Sequence, residues 1–242
     1  MRPTLADART GSVRARYDAR VASGTLTGDA AQAAAASRLD DLAAALAHPQ
    51  KKSLFGKPPP PVRGLYLWGG VGRGKSMLMD LFFAGAGVAS KRRVHFHEFM
   101  AEVHERLDVW RRLSDTERRR SPFHVRGAGD DPIAPVARQV ASEARLLCFD
   151  EFQVNQIADA MILGRLFEAL FGEGVTVVAT SNRHPDDLYK DGINRALFLP
   201  FIERLKERCD VFELAAARDY RLDRLVEAPV WYAPLGAGSA AA

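Results

Sequence analysis

Three short segments carry residue types whose spacing suits phosphate chemistry. Gly69-Gly70-Val71-Gly72-Arg73-Gly74-Lys75-Ser76 has the pattern G-x-x-x-x-G-K-[ST]. Glycines so spaced let a loop turn tightly and aim successive backbone N–H groups at phosphate oxygens. A helix opening at Lys75 adds the positive end of its dipole. Lys75 would reach the β- and γ-phosphates, and Ser76 would offer a hydroxyl to Mg²⁺. A glycine-rich loop alone is ordinary. This one follows an apolar run, Leu65-Tyr66-Leu67-Trp68, and precedes a helical pattern, the context a nucleotide-binding loop requires. In the second segment, Leu146-Leu147-Cys148-Phe149-Asp150-Glu151, apolar residues bury a strand and carboxylates emerge at its C-terminal end. Ligands of open α/β sheets bind at such ends. Asp150 is placed to hold Mg²⁺ through its water shell, and Glu151 to polarise an attacking water as general base. The alternative, a solvent-facing acidic pair, loses weight beside a phosphate loop. The third segment, Val177-Val178-Ala179-Thr180-Ser181-Asn182-Arg183, ends in polar residues at the same edge. Asn182 could orient the water, although by itself this segment reads as a plain Ser-Asn turn. The Asp-Glu pair favours hydrolysis over transfer to a small acceptor, and no Asn-Lys-x-Asp guanine-reading motif occurs.

A scaffold must bring these segments to one edge. From residue 63 onward, apolar runs at 65–68, 94–97, 146–149, 175–180 and 210–214 alternate with helical patterns at 75–83, 99–113, 133–142, 157–171 and 195–208. Continuous apolar runs suit strands buried on both faces. The alternation predicts an α/β fold, a parallel sheet covered by helices on both sides in the three-layer manner of a P-loop NTPase. Residues 114–131 interrupt it with a polar, arginine-rich insertion that reads as an exposed loop. Ahead of the sheet, residues 14–21 and 29–46 read as helices, the second with Asp29 as N-cap and Leu39, Leu42 and Leu46 on one face. Residues 51–61 end in four prolines and read as a stiff linker. The expected organisation is a helical N-terminal extension with its linker over 1–62, an ATPase core over 63–214, and a short C-terminal segment with a low-complexity tail over 215–242.

Composition narrows the classes further. With 47% hydrophobic and 26% charged residues, the chain can build a packed core. No run approaches the ~18 apolar residues of a membrane span. No apolar block follows Arg2, and Asp7 and Asp18 oppose a transit-peptide reading. The two cysteines, Cys148 and Cys209, are too few for a disulfide framework, so the expectation is a cytoplasmic protein, with Cys148 an inert buried thiol. The net charge is +4, and seven arginines between Arg106 and Arg126 against Asp108, Asp115 and Glu117 account for all of it. Such a run is usually a solvated surface. A contact with a partner protein ranks ahead of nucleic acid, because only Trp110 and Phe123 are available for stacking. His95 and His97 are expected on one strand face, with His104 nearby. They lack a third metal ligand at a defined spacing and read as structural or solvent-facing.

Residues 69–80 (GGVGRGKSMLMD), 93–104 (RVHFHEFMAEVH), 146–161 (LLCFDEFQVNQIADAM), 178–189 (VATSNRHPDDLY) and 194–202 (NRALFLPFI) resemble the ZapE cell-division ATPases and their mitochondrial relatives, a family of the AAA+ superfamily. The likeness runs from about Tyr17 to Leu222. It implies ATP hydrolysis with Mg²⁺, a homo-oligomer, and action in the bacterial cytoplasm at the division ring with FtsZ as partner. Residue by residue, it implies a phosphate loop from Gly69 to Ser76, Asp150 and Glu151 as the second acidic motif, Asn182 as sensor and Arg195 as arginine finger. One departure stands out. AAA+ proteins usually follow the fifth strand with a helical lid, whereas the 28 residues after Leu214 hold Tyr220, Val230 and Trp231 but no sustained helical pattern. The expected consequence is weakened ring assembly. The rival reading is a nucleotide-gated switch of helicase-loader type, acting on nucleic acid with little hydrolysis.

Overall fold

Each apolar run expected as a strand contributes to one parallel sheet. In this computed structural model, residues 11–47 and 61–215 are described. The strands are β1 (Gly64–Trp68), β2 (Lys91–His95), β3 (Leu146–Asp150), β4 (Thr176–Ser181) and β5 (Cys209–Glu213), in spatial order β2-β3-β4-β1-β5. The helices are α1 (Val13–Ala22), α2 (Ala30–Ala47), α3 (Lys75–Gly85), α4 (Phe96–Arg112), α5 (Asp115–Arg120), α6 (Ile133–Glu143), α7 (Ile157–Gly172) and α8 (Leu199–Arg208).

Strand alternation divides the interior into two cores. Leu65, Leu67, Leu146, Cys148 and Val178 face α1, α2 and α3. Tyr66, Leu147, Phe149, Val177 and Ala179 face α4, α6, α7 and α8. The second core is rich in rings: Phe149 lies 5.6 Å from Phe96 and 4.8 Å from Phe99, centroid to centroid. The result is the expected three-layer architecture. Because β3, β4 and β1 are successive neighbours, the acidic pair, the Ser181–Asn182 turn and the glycine loop emerge side by side at one edge. The thiols of Cys148 and Cys209 are buried, and burial pushes both up to about 12. They are poor nucleophiles at neutral pH.

Four features depart from the expectations. First, the run 94–97 straddles a boundary. β2 ends at His95, and α4 begins at Phe96 because Phe96, Phe99, Met100, Val103, Leu107 and Trp110 repeat with helical period and are all buried. His95 and His97 therefore do not share a strand face; both are exposed, with rings 5.8 Å apart. Second, residues 195–208 do not form one helix. A 3₁₀ turn, Arg195–Leu197, precedes α8, whose first turn accommodates Pro200. Third, the basic insertion contains α5, opened by a capping box between Ser114 and Glu117. Fourth, the helices expected as an extension share a core with the sheet: Val13, Tyr17, Leu39 and Leu42 are buried with Leu78 and Phe82. Asp29 caps α2 as expected, its carboxylate accepting the Gln32 N–H at 3.0 Å. The proline-rich segment through Pro60 and the tail from residue 216 onward lie outside the described residues.

The arginines of the insertion are not equivalent. The Arg118 side chain is 15% exposed and donates to the carbonyls of Trp110 and Arg111 and to Asp130. Arg119, Arg120 and Arg126 are exposed, with no carboxylate partner among the described residues. Arg118→Ser should therefore cost about 1.5–3 kcal/mol in urea unfolding, the range for hydrogen bonds to charged groups. Arg119→Ser with Arg120→Ser should stay within about 0.5 kcal/mol per site. Equal effects would contradict the stapling role of Arg118.

Candidate active site

β1 runs into Gly69, whose φ of 146° lies outside the range side chains favour. A Cβ there would also lie 2.5 Å from the Leu214 carbonyl oxygen. The Gly69 N–H donates to Ser181 O at 3.2 Å, tying the loop to the end of β4. At the other end, Gly74 is the N-cap of α3 with φ 82°, and a Cβ there would sit 2.8 Å from Gln32 Nε2. Glycine is required at both positions for conformation and close approach.

Lys75, the first residue of α3, is 8% exposed. Its ammonium donates to Gly69 O at 2.8 Å, Gly70 O at 2.7 Å and Asn182 Oδ1 at 2.9 Å. All three acceptors are neutral, and no carboxylate pairs with it among the described residues. Burial, with the charge of Arg73 nearby, holds its pKa below the ordinary lysine range. A buried cation with only neutral partners favours a bound anion.

The acidic edge is held by β4. Asp150 is 6% exposed, and Glu151 takes a left-handed φ of 53°. Such a conformation costs a non-glycine residue of order 1–3 kcal/mol and persists only where its surroundings over-determine it. Here the Glu151 N–H donates to Thr180 Oγ1 at 3.3 Å, and the Thr180 hydroxyl donates to Asp150 Oδ1 at 3.4 Å. The Phe152 N–H donates to Thr180 O at 2.7 Å, and Ser181 Oγ donates to Phe152 O at 2.7 Å. The other Asp150 oxygen, Oδ2, accepts from Arg93 Nε at 2.7 Å.

Residues 71–77, Glu151, Thr180, Ser181 and Asn182 line a cleft of about 440 Å³. The structure thus brings together the loop, Lys75, Ser76, Glu151 and Asn182, with Asp150 one hydrogen bond behind Thr180. Space above Gly72 is open, since a Cβ there would meet nothing within 4 Å. Together with Lys75, this fits a triphosphate. For a metal, no cluster of three or more His, Cys, Asp or Glu occurs among the described residues. The exposed Ser76 hydroxyl and the Asp150 carboxylate are few protein oxygens, as suits Mg²⁺, which keeps waters and shares substrate phosphates. Arg195 does not line the cleft. It donates to Asp186 O from its 3₁₀ turn, flanked by the exposed Ile193, Leu197 and Leu199.

Four residues near the site were not singled out as site residues by sequence reasoning. Thr180 and Arg93 are described above. Asp29, which its sequence context marks only as a cap, also pairs with Arg73 at 3.3 Å. Gln32 donates to Arg73 O at 3.0 Å, and Arg73 donates to Ala215 O at 2.6 Å. No spacing rule announces these contacts, because they depend on how α2 and the chain past β5 dock against the loop.

Residues 11–242 match the family described as AFG1-like ATPase. Over 175 residues the chain is 47% identical to the cell division protein ZapE of Escherichia coli strain K12, covering 72% of this chain and 42% of that protein. Over 165 residues it is 52% identical to lactation elevated protein 1 homolog B of Danio rerio, covering 68% and 32%. The chain therefore spans less than half the length of these relatives. In fold it is similar to a DNA replication initiation factor (TM-score 0.51, 15% identity, 84% of this chain and 52% of that chain). It is also similar to AMPPCP-bound DnaA from Aquifex aeolicus (TM-score 0.50, 15% identity, 87% and 56%). At such identity the likeness concerns the fold alone, a parallel sheet covered by helices on both faces. No helix among the described residues is long and apolar enough to cross a membrane.

Lys75→Ala removes the charge from the cleft. Hydrogen bonds to charged groups are worth about 1.5–3 kcal/mol, so affinity for a fluorescent ATP analogue should fall by roughly 10- to 150-fold. An unchanged titration would remove Lys75 from the phosphate site.

Proposed function

The chain belongs to the AFG1-like ATPase family, and we propose that it binds ATP with Mg²⁺ in the Lys75 cleft and hydrolyses it. We further propose that the cycle does mechanical work on the bacterial division ring in the cytoplasm, with FtsZ as the partner. The buried Lys75 ammonium, surrounded by neutral oxygens at the mouth of a glycine loop, carries the nucleotide part of the proposal. The division-ring part rests on the likeness to ZapE.

In this reading Lys75 exchanges its carbonyl and amide acceptors for oxygens of the β- and γ-phosphates. The amides of the loop and the N-terminus of α3 add further positive potential. Ser76 and Asp150 would hold Mg²⁺, which when bound neutralises charge on the phosphate oxygens. Glu151 takes a proton from the water that attacks the γ-phosphorus. Its backbone N–H is held by Thr180 Oγ1, which fixes where its side chain leaves the end of β3. Asn182, released by Lys75, is free to orient that water. Arg195, outside its own cleft, serves a neighbouring copy, and Ile193, Leu197 and Leu199 supply apolar surface for that docking.

Steady-state ATP turnover, measured with and without single-stranded DNA, separates this proposal from a nucleotide-gated switch. Turnover without DNA is expected; ATP retained without turnover, and only when DNA is present, would favour the switch. Glu151→Gln should keep nucleotide binding and slow hydrolysis at least about 100-fold. An unmutated rate in that variant would reassign the base.

For Arg195, two inactive variants provide the check. Arg195→Ala and Lys75→Ala subunits should each be nearly inactive, since a finger contributes about 10³–10⁵ in rate. Mixed together, they should regain activity, because an intact Arg195 then meets an intact loop. No recovery at any ratio or concentration would exclude action between subunits.

A further inference from the structure

Arg93 contacts the acidic motif from the edge strand. On β2 it pairs in register with Cys148, two residues before Asp150 on the same face of β3. Its side chain can therefore run along the sheet surface toward the strand end. Nε donates to Asp150 Oδ2 at 2.7 Å, and the same guanidinium pairs with Asp80. Asp80 follows Ser76 by four residues on α3, so the two lie on one helix face a turn apart. Ser76, Asp80, Arg93 and Asp150 thus occupy one seam between α3 and the sheet.

The charges in this seam are two carboxylates and one guanidinium. Asp150 has one oxygen taken by Arg93 and the other by the Thr180 hydroxyl at 3.4 Å, a long contact that a cation can displace. Without Arg93, two carboxylates held by the same seam would face a hard cation with no opposing charge between them. Affinity for such ions rises with the number of charged ligands.

We propose that Arg93 is a positioning residue that makes divalent-cation binding at Asp150 conditional on nucleotide. It occupies Oδ2 and engages Asp80, so Asp150 offers one oxygen, and phosphate oxygens must complete the metal's shell. The proposal rests on the ATPase reading, but it can be tested apart from turnover. The probe is Mn²⁺ without nucleotide, added to the full chain and followed by the electron paramagnetic resonance of free Mn²⁺. The unmutated chain should show no saturable binding up to about 1 mM. Arg93→Met, which keeps an apolar stem in the same space, should bind Mn²⁺ at least about tenfold more tightly, by the added charged ligand. Adding Asp80→Asn to that variant should abolish the gain, and Arg93→Lys should stay close to the unmutated chain. Tight Mn²⁺ binding by the unmutated chain overturns the proposal whatever the variants do. So does a folded Arg93→Met with no gain. If the chain binds no ATP analogue with or without metal, the ATPase reading fails, while the Mn²⁺ comparison still decides the role of Arg93.

Discussion

An ammonium removed from water must have its donors satisfied, and Lys75 imposes that requirement on three elements at once. Two acceptors come from the chain leaving β1, and the third from Asn182 just past β4. The ends of β1 and β4 must therefore lie side by side, as parallel pairing from Leu65↔Val178 to Trp68↔Ser181 makes them. The chain must also reverse between Gly69 and Gly74 tightly enough to turn its own carbonyls back onto the first residue of the helix it opens. Leaving such a donor unmet costs more than a typical surface contact contributes. The adjacency of β1 and β4, the glycine turn and the start of α3 all meet the requirement of one buried charge.

The acidic edge is organised around a neutral residue. Thr180 accepts from the Glu151 amide, donates to Asp150, and through its carbonyl fixes Phe152. A single strand end thereby holds two adjacent carboxylates in different environments. Asp150 is buried and bonded to Arg93; Glu151 is exposed in the cleft on a left-handed backbone. Neighbours in sequence are given separate roles by geometry.

Much of this was legible in the sequence, for local reasons. Apolar runs such as 146–149 are buried on both sides, and their polar terminators, Asp150 and Asn182, fall at the edge where the loop lies. Legibility failed where two periodicities overlapped: His95 ends a strand while Phe96 and Phe99 begin a helical repeat, so a strand reading of 94–97 puts His95 and His97 on one face. The start of α5 is legible, because Ser114 and Glu117 stand at capping-box spacing, but the arginines around them give the segment the composition of an exposed loop. Contacts made through docking leave no such trace. Arg93 reaches Asp150 from another strand, and Gln32 reaches the loop from another helix, so neither pairing has a spacing to find.

Arg73 occupies a variable position of the loop pattern, yet both directions of the chain are moored to it. Asp29 and Gln32 at the start of α2 hold it on one side, and the carbonyl of Ala215, just past β5, holds it on the other. A displacement of Arg73 therefore bears on both moorings together. In mechanical terms the loop has one pivot with two attachments: the helical layer ahead of the sheet, and Ala215 just past β5. The N-terminus of α2 and the first residues past β5 therefore meet at one side chain of the loop, on the side of the sheet where the loop lies.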